Sequence, residues 1–169
     1  MKAVFLTLIP GLVCGAQETP AETEITGDWN TIYIAVDNKE KIQQGGPLRA
    51  YIHHFECINN CEQLSVTFYI KASYNCTLLT VVGTREEDVY VVNYMGENSF
   101  EVNRVSGNLI LFYAENFDGV RKTKVTHALG IKGDSLTQED IHKHEELNSE
   151  RGIPNENIDD ATKTDSCPK

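Results

Sequence analysis

Two cysteines and two histidines lie close together in the chain and could support two different kinds of chemistry. Cys57 and Cys61 are four positions apart, and His53 and His54 precede them. Thiolate and imidazole groups are the usual ligands of zinc, and this cysteine spacing lies within the range of zinc sites. Neighbouring residues of a strand point to opposite faces, however, so both histidines cannot reach one ion without distortion. The alternative is a disulfide across a tight turn, for which the two Cα atoms must lie ~4.4–6.8 Å apart.

The first residues of the chain help to decide between a zinc site and a disulfide, because they indicate the compartment in which the protein folds. Lys2 is followed by an apolar run from Ala3 to Val13 and then by the small residues Cys14-Gly15-Ala16. This pattern predicts a secretory signal peptide over residues 1–16 and one domain over residues 17–169. The run is too short to span a membrane, so no membrane insertion is expected. Thiols are oxidised in the secretory pathway, which favours disulfides and argues against a metal site.

Four cysteines remain after the predicted cleavage, and four cysteines allow three pairings. If Cys57 pairs with Cys61, then Cys76 is left for Cys167, two positions before the last residue. Asn75 begins the sequence Asn75-Cys76-Thr77, a possible N-glycosylation site. The cysteine in its middle makes this a weak prediction.

The charge of the chain argues against two classes of partner. The formal net charge is −10 and becomes −11 when Lys2 is removed. An acidic surface repels nucleic acid and anionic lipid, and no basic run interrupts it. We therefore expect no nucleic-acid partner.

Apolar alternation and short β-branched blocks, separated by turn residues, predict an all-β domain. Eight consecutive strands with short connections favour an antiparallel up-and-down β-barrel, because closure removes the exposed sheet edges. The predicted strands are Trp29–Val36, Leu48–Cys57, Cys61–Lys71, Thr77–Thr84, Asp88–Tyr94, Ser99–Val105, Leu109–Glu115 and Arg121–Ile131.

One helix is predicted after the barrel. Thr137 is a good N-cap with an acidic residue three positions later, and Gly152 ends the helical pattern. Ile141 and Leu147 are expected to pack against the barrel, while His142 and His144 are expected at the surface. The tail that follows is predicted to be extended, with Ile158 and Cys167 as its anchors.

The sequence resembles the lipocalin family, and within it the odorant-binding, aphrodisin-like branch. Gly27-Asp28-Trp29 resembles the G-x-W motif, whose tryptophan closes one end of the barrel in that family. The Cys57-x-x-x-Cys61 motif, the segment 92–98 and the C-terminal segments 152–158 and 165–168 are also similar. The resemblance covers the mature chain. It implies the pairs Cys57–Cys61 and Cys76–Cys167.

A barrel of eight strands is just wide enough to hold one small ligand. Side-chain alternation, with the resemblance as a guide, predicts which residues face that ligand. Asn98 is placed at the rim, and Arg49 is expected to face water. His127 and Tyr94 are candidates to hydrogen-bond the ligand, and a His127 pKa near ~6.5 would make binding sensitive to acid. The predicted ligand-binding residues are Leu48, Ala50, Ile52, Val66, Phe68, Val82, Val92, Tyr94, Asn98, Phe100, Phe112, Ala114, Val125, His127 and Leu129, with Ile34 also facing inward.

These residues favour a non-enzymatic secreted carrier of small hydrophobic odorants or pheromones, without a cofactor. One alternative is a protein pheromone or receptor ligand that is itself the signal. Another is a lipocalin-type isomerase, which requires a cysteine thiol inside the barrel. Each mature cysteine has a predicted disulfide partner, which argues against the enzyme. The expected assembly is a monomer or weak homodimer, because a Cys76–Cys167 bond disfavours exchange of the helix and tail between chains.

Overall fold

The computed structural model of the protein describes residues 25–131 and 135–169, so the predicted signal peptide lies outside the described residues. One helix, α1, spans Gln138–Arg151. Short 3-10 helices span Lys39–Ile42, Asn155–Asn157 and Ala161–Lys163. The strands are β1 (Gly27–Val36), β2 (Tyr51–Ile58), β3 (Gln63–Ala72), β4 (Asn75–Glu86), β5 (Val89–Asn93), β6 (Glu97–Ser106), β7 (Leu109–Phe117), β8 (Lys122–Ile131) and β9 (Asp159–Asp160).

Strands β1 to β8 form a closed antiparallel barrel. Each strand from β2 to β8 pairs with the next, β8 pairs with β1, and β1 returns to β2 through Gly27 and Asp28 opposite Phe55 and His54. Closure leaves no long unpaired edge. The predicted eight-stranded barrel with one helix outside it is confirmed.

Strand β1 shares one of its edges between two partners. Its first residues pair with β2, while Tyr33 and Ile34 pair with Asp160 and Asp159 of β9. The sequence pattern did not predict β9, because two acidic residues carry no strand signal of their own. The tail is therefore held by backbone pairing as well as by the buried side chain of Cys167 and the half-buried side chain of Ile158.

A β-bulge in β2 changes which of its residues face inward. The register with β3 shifts between Ile52 and His54. A bulge adds one residue to one strand and so reverses the alternation beyond it. Ile52 and Phe55 are consequently both buried in the barrel core.

Four aromatic rings stack through the aliphatic interior of the barrel. Phe100 stacks between Tyr90 and Phe112, with ring centroids 5.5 and 5.2 Å away, and Phe112 also stacks on Phe55 at 6.3 Å. Offset rings at these separations attract each other beyond their simple burial. A column of stacked aromatic rings thus runs through the core of the barrel.

Trp29 closes one end of the barrel. Its indole nitrogen Nε1 donates a hydrogen bond of 2.9 Å to the backbone oxygen of Ile25. The Arg104 guanidinium lies 5.2 Å from the centre of the indole ring, within cation–π range. The tryptophan of the predicted motif therefore lies in the core with its polar atom satisfied.

Both predicted disulfides are present. Cys57 and Cys61 have Cα atoms 4.4 Å apart across the β2–β3 turn, where Asn59 and Asn60 adopt the left-handed conformation that asparagine tolerates. Cys76 and Cys167 are 91 positions apart in sequence and join β4 to the tail. These cysteines are therefore unavailable as metal ligands.

Helix α1 begins and ends as predicted but packs on a polar face. Thr137 and Asp140 form a capping box, and Gly152 at φ 78° accommodates the left-handed C-cap. The buried helix residues are Asp140, His144 and Asn148.

The expectation that His144 lies at the surface is wrong, since it is only 1% exposed. Its Nε2 is 2.9 Å from the hydroxyl of Thr126 on β8, and that hydroxyl donates to Asn148 Oδ1 at 2.5 Å. These hydrogen bonds add to the predicted apolar contact of Leu147, which packs against the barrel clusters of Ala35 and Leu109.

The expectation that Arg49 faces water is also wrong. Arg49 is 3% exposed and forms a 2.7 Å ion pair with Asp159 of β9. It also donates to the Thr164 hydroxyl and to the backbone oxygen of Ile42. The C-terminal tail covers this arginine, and a pattern confined to one strand does not reveal a partner 110 residues away.

Candidate ligand-binding site inside the barrel

An apolar cavity of about 70 Å³ lies inside the barrel, towards the end opposite Trp29. Strands β2 to β8 and the segment that precedes β2 contribute its walls. The lining residues are Leu48, Ala50, Ile52, Val66, Phe68, Val81, Val92, Tyr94, Asn98, Phe100, Phe112, Val125 and His127.

The structure places twelve of the fifteen predicted residues on this lining. Leu48 and Ala50 reach it although β2 begins only at Tyr51, since the chain before the strand continues along the barrel mouth. Ala114 and Leu129 are buried in the same core but do not border the cavity. Ile34 is likewise buried in this core.

The prediction that Val82 faces inward is wrong. Val82 is 41% exposed, and its neighbour Val81 borders the cavity instead. Gly83, two positions after Val81, fixes this register, because a Cβ there would lie 2.9 Å from the ring of Phe100. A glycine within an otherwise β-branched strand is the sequence signal that could have assigned the inward face.

Phe55 and Tyr90 are among the core residues that the sequence analysis did not place inward. Phe55 faces inward only because of the β2 bulge, and no residue type in β2 indicates that bulge. Tyr90 lies inward with its hydroxyl donating to the Cys61 backbone oxygen at 2.6 Å. Tyr90 lies two and four positions before Val92 and Tyr94, which were both predicted to face inward. The alternation in β5 could therefore have placed Tyr90 on the inward face.

Asn98 lies at the rim, where its amide is already engaged. Nδ2 donates to the backbone oxygen of Tyr94 at 2.7 Å, and Oδ1 accepts from Asn116 Nδ2 at 2.9 Å. The Tyr94 hydroxyl lies 3.4 Å from the Pro47 oxygen and its ring packs edge-on against Phe68. These contacts join the β5–β6 turn to the segment before β2 and so shape the mouth of the cavity.

His127 is the polar residue set deepest in the lining. It is 2% exposed, its Nε2 is 3.2 Å from the backbone oxygen of Ala50, and its ring meets Phe112 edge-on at 5.3 Å. Its Nδ1 is buried without a protein hydrogen-bond partner. Desolvation by burial lowers the pKa of His127 to about 3, only partly offset by the bond to Ala50. The lowered pKa argues against acid-sensitive binding through His127 in the range of its ordinary pKa.

The size of the cavity limits what can enter without movement. An apolar cavity of about 150 Å³ holds benzene, and typical ligand sites occupy ~300–1,000 Å³. The volume of about 70 Å³ is smaller than either. Side chains such as Phe68 and Tyr94 must therefore move apart for an odorant-sized molecule to bind.

Other chemistries find little support in the described residues. No group of three or more histidine, cysteine or acidic side chains converges there on a possible metal position. His54 instead pairs with Asp28 at 2.7 Å, and His53 packs edge-on against Tyr69. The four cysteines of the described segments are all in disulfides, which leaves no thiol in the cavity.

No helix within residues 25–131 and 135–169 is long and apolar enough to cross a membrane.

Comparison with known proteins gives relatives of nearly equal length. The bovine (Bos taurus) allergen Bos d 2 is 56% identical over 172 residues, which cover 99% of both chains. Mouse (Mus musculus) odorant-binding protein 1b is 36% identical over 173 residues, covering 100% of this chain and 99% of the mouse protein. The crystal structure of aphrodisin, a sex pheromone from female hamster, superposes with a TM-score of 0.82 at 36% identity, covering 86% of this chain and 99% of aphrodisin.

A sequence model of the lipocalin / cytosolic fatty-acid binding protein family matches residues 26–165. This match spans the barrel, the helix and the tail as far as Asp165. Together with the closed barrel, the buried Trp29 and the two disulfides, it establishes that the chain belongs to the lipocalin family, in its odorant-binding and aphrodisin-like branch.

Proposed function

We propose that the protein is a secreted, non-enzymatic carrier that binds one small hydrophobic molecule, of the odorant or pheromone class, inside the barrel. The observation that carries the proposal is the cavity, whose lining is apolar apart from Tyr94, Asn98 and His127. Such a lining is typical of sites for small apolar ligands. The relatives that are named for odorant binding support the same class.

The same geometry sets the strength of binding. Burial of ~150–250 Å² of apolar ligand surface at ~25 cal/mol per Å² contributes ~4–6 kcal/mol before the entropy of association is subtracted. The aromatic core must also rearrange to admit the ligand. We therefore expect dissociation constants in the micromolar-to-millimolar range, as suits a carrier that releases its cargo.

Secretion and the lack of enzymatic activity belong to the same proposal. Two disulfides are expected of a protein that folds in an oxidising compartment. The cavity contains no thiol, and its histidine has no adjacent acid or nucleophile among the lining residues. These features support a binding function and disfavour the isomerase alternative.

Fluorescence titration with the apolar probe 1-aminoanthracene tests the proposal. The mature protein is expected to enhance the emission of the probe, and an aliphatic alcohol is expected to displace it. Val66→Phe places a ring in the cavity and should weaken probe binding at least tenfold. Val82→Phe adds the same ring to the outer face and serves as the control. Equal loss in both variants, or no binding by the parent protein, contradicts a site inside the barrel.

A second candidate is that the folded protein is itself the signal. The volume of about 70 Å³ favours it, because so small a cavity is largely filled by side chains. The description of aphrodisin as a sex pheromone favours it as well. Protein stripped of ligand and ligand-loaded protein should then elicit the same response, whereas a carrier acts only when loaded.

A further inference from the structure

We propose that Asn75 carries an N-linked glycan, and that this glycan is attached while Cys76 is still a thiol, before the Cys76–Cys167 disulfide forms. The inference rests on the proposed secretion of the protein, because the modification takes place in the secretory pathway. Asn75-Cys76-Thr77 is the one place in the chain where asparagine is followed two positions later by serine or threonine without an intervening proline.

The fold places Asn75 where a large hydrophilic group fits. Asn75 is the first residue of β4 and directly follows the β3–β4 turn. Ser73 and Tyr74 form that turn with φ values of 51° and 71°, as in a two-residue hairpin, and Ala72 pairs with Asn75 at its base. Residues 72–75 are all exposed. A glycan on Asn75 can therefore extend from the tip of a hairpin into solvent.

The glycan and the disulfide occupy opposite faces of β4. Successive side chains of a strand point to opposite sides, so Asn75 and Thr77 share one face and Cys76 lies on the other. Asn75 and Thr77 are exposed, whereas the half-buried Cys76 bonds to Cys167 of the tail, with the two Cα atoms 5.7 Å apart. The folded protein can therefore hold both modifications, which removes the steric objection to a cysteine in the middle of the motif.

The attachment step leaves the cysteine chemically unchanged. Nδ2 of Asn75 forms a bond to the anomeric carbon of a lipid pyrophosphate-linked oligosaccharide, and the Thr77 hydroxyl is the group that the motif requires. The bond from that carbon to the pyrophosphate oxygen breaks, Nδ2 loses one proton, and the lipid pyrophosphate leaves. No electrons are exchanged with the neighbouring thiol. The disulfide forms in a separate step.

The separation of the two cysteines sets the order of these steps. Cys167 follows Cys76 by 91 positions, and synthesis at ~5–20 residues per second takes about 5–18 s to cover that distance. The native partner of Cys76 does not exist during this interval, and the preceding Cys57 and Cys61 bond to each other. Asn75 is therefore available for glycosylation beside a reduced Cys76. Later, the thiols of Cys76 and Cys167 pass two electrons and two protons to an oxidising disulfide of the same compartment.

Intact mass measurement of protein secreted by mammalian cells tests the inference. The full chain is expressed with its own N-terminal segment, and the medium is analysed before and after treatment with peptide N-glycosidase. We expect most secreted chains to carry one glycan together with the Cys76–Cys167 bond. The enzyme should remove the glycan and leave an aspartate in place of the modified asparagine. Peptide mapping should assign that aspartate to position 75.

Four variants test the site and the order. Asn75→Gln and Thr77→Ala should each abolish the added mass, because they remove the acceptor amide and the required hydroxyl separately. Asn103→Gln, at an exposed position of β6 outside any such motif, is the matched control and should be modified like the parent. Cys76→Ala/Cys167→Ala keeps the motif without the disulfide. Its glycan occupancy should equal that of the parent, since the bond forms too late to compete.

The outcomes separate this inference from the carrier function. A parent protein that is secreted without a glycan overturns the inference and leaves the carrier function intact. If the parent is mostly unmodified while Cys76→Ala/Cys167→Ala is mostly modified, the disulfide forms first and the proposed order is wrong. If the parent stays in the cells with residues 1–16 uncleaved, the proposed secretion is itself overturned. Occupancy measured in cell extracts as well as in the medium distinguishes a variant that fails to fold from one that is not modified.

Discussion

Gly83 and Phe100 show how closely the interior of the barrel is fitted. The ring of Phe100 occupies the space where a side chain at position 83 would lie, with Cε1 and Cζ each 2.9 Å from an ideal Cβ. Tyr90 Cβ would be 3.0 Å from the same point. The glycine thereby allows the aromatic column of Tyr90, Phe100 and Phe112 to stack, and this column in turn bounds the cavity.

Gly83→Ala should destabilise the protein, although a glycine-to-alanine change in a strand usually stabilises. The added methyl group overpacks the core, which typically costs ~1–3 kcal/mol. Urea unfolding of the variant and its parent measures the difference in the free energy of unfolding. Gly107→Ala is the matched control, because nothing lies within 4 Å of its Cβ position. Equal stability of Gly83→Ala and the parent would show that the Phe100 ring moves without loss.

At the scale of single elements, the sequence predicted which strands and helix form, and in what order, better than it predicted which side chains face the interior of the barrel. All eight barrel strands and both ends of α1 follow from alternation, turn residues and helix caps, which are local signals. The inward face of β4 was misassigned at Val82, and Phe55 was missed behind a bulge. Alternation alone cannot reveal a slip of one residue, and such a slip reverses every later side chain of the strand.

The helix and the tail show a different limit. Helical spacing singled out Leu147, which does pack against apolar residues of the barrel. It did not reveal that the fully buried helix residues are Asp140, His144 and Asn148. Arg49 was expected in water because it is charged. In both places a polar group is buried against a partner that is distant in sequence, and only the folded chain supplies that partner. Similarly, most of the site was predictable from inward alternation, while the contact of His127 with the Ala50 oxygen depends on a residue 77 positions away.

Because His144 joins α1 to Thr126 of β8, we predict that the packing of α1 against the barrel weakens in acid. Burial lowers the pKa of His144 to about 4, so the folded state resists its protonation while the unfolded state titrates near its ordinary value of 6.5. The free energy of unfolding should therefore fall as the pH decreases from about 6.5 towards 4. The loss is on the order of 3 kcal/mol at 1.36 kcal/mol per pKa unit.

His144→Gln should reduce this dependence, because an amide can still hydrogen-bond the Thr126 hydroxyl but does not titrate. Urea unfolding of the variant and the parent at pH 7 and pH 4.5 measures the change. The control is His142→Gln on the same helix, where the side chain is 69% exposed. Parallel pH profiles for parent and His144→Gln would show that His144 does not carry the effect.

Arg49 makes the tail part of the barrel wall, and its removal should loosen the tail. Arg49→Met deletes the bonds to Asp159, Thr164 and the Ile42 oxygen, which together tie the tail to the segment before β2. We expect a loss of about 2 kcal/mol in the free energy of unfolding and faster proteolysis beyond residue 155. Arg121→Met, at an exposed position, is the control. Unchanged proteolysis would show that β9 pairing holds the tail unaided.

For the whole molecule, the two disulfides should contribute unequally to stability. Cys76–Cys167 links positions 91 apart, whereas Cys57–Cys61 links positions only four apart. A cross-link restricts the unfolded chain more as the loop it closes lengthens. Replacing Cys76 and Cys167 together by alanine should lower the free energy of unfolding by roughly 2–4 kcal/mol. The Cys57→Ala/Cys61→Ala variant should lose less, and urea unfolding of the three proteins provides the comparison.

The Cys76–Cys167 disulfide should also oppose dimer formation, which can be measured in the same Cys76→Ala/Cys167→Ala variant. With Cys76 joined to Cys167, helix α1 and β9 lie in the closed segment and are held against their own barrel. Without the bond, exchange of these elements between two chains becomes less restricted, because the tail then depends on Arg49 and short β9 pairing. Sedimentation at increasing concentration should find the parent monomeric and the Cys76→Ala/Cys167→Ala variant with a larger dimer fraction. Equal dimer fractions in the two proteins would show that the barrel contacts alone prevent the exchange.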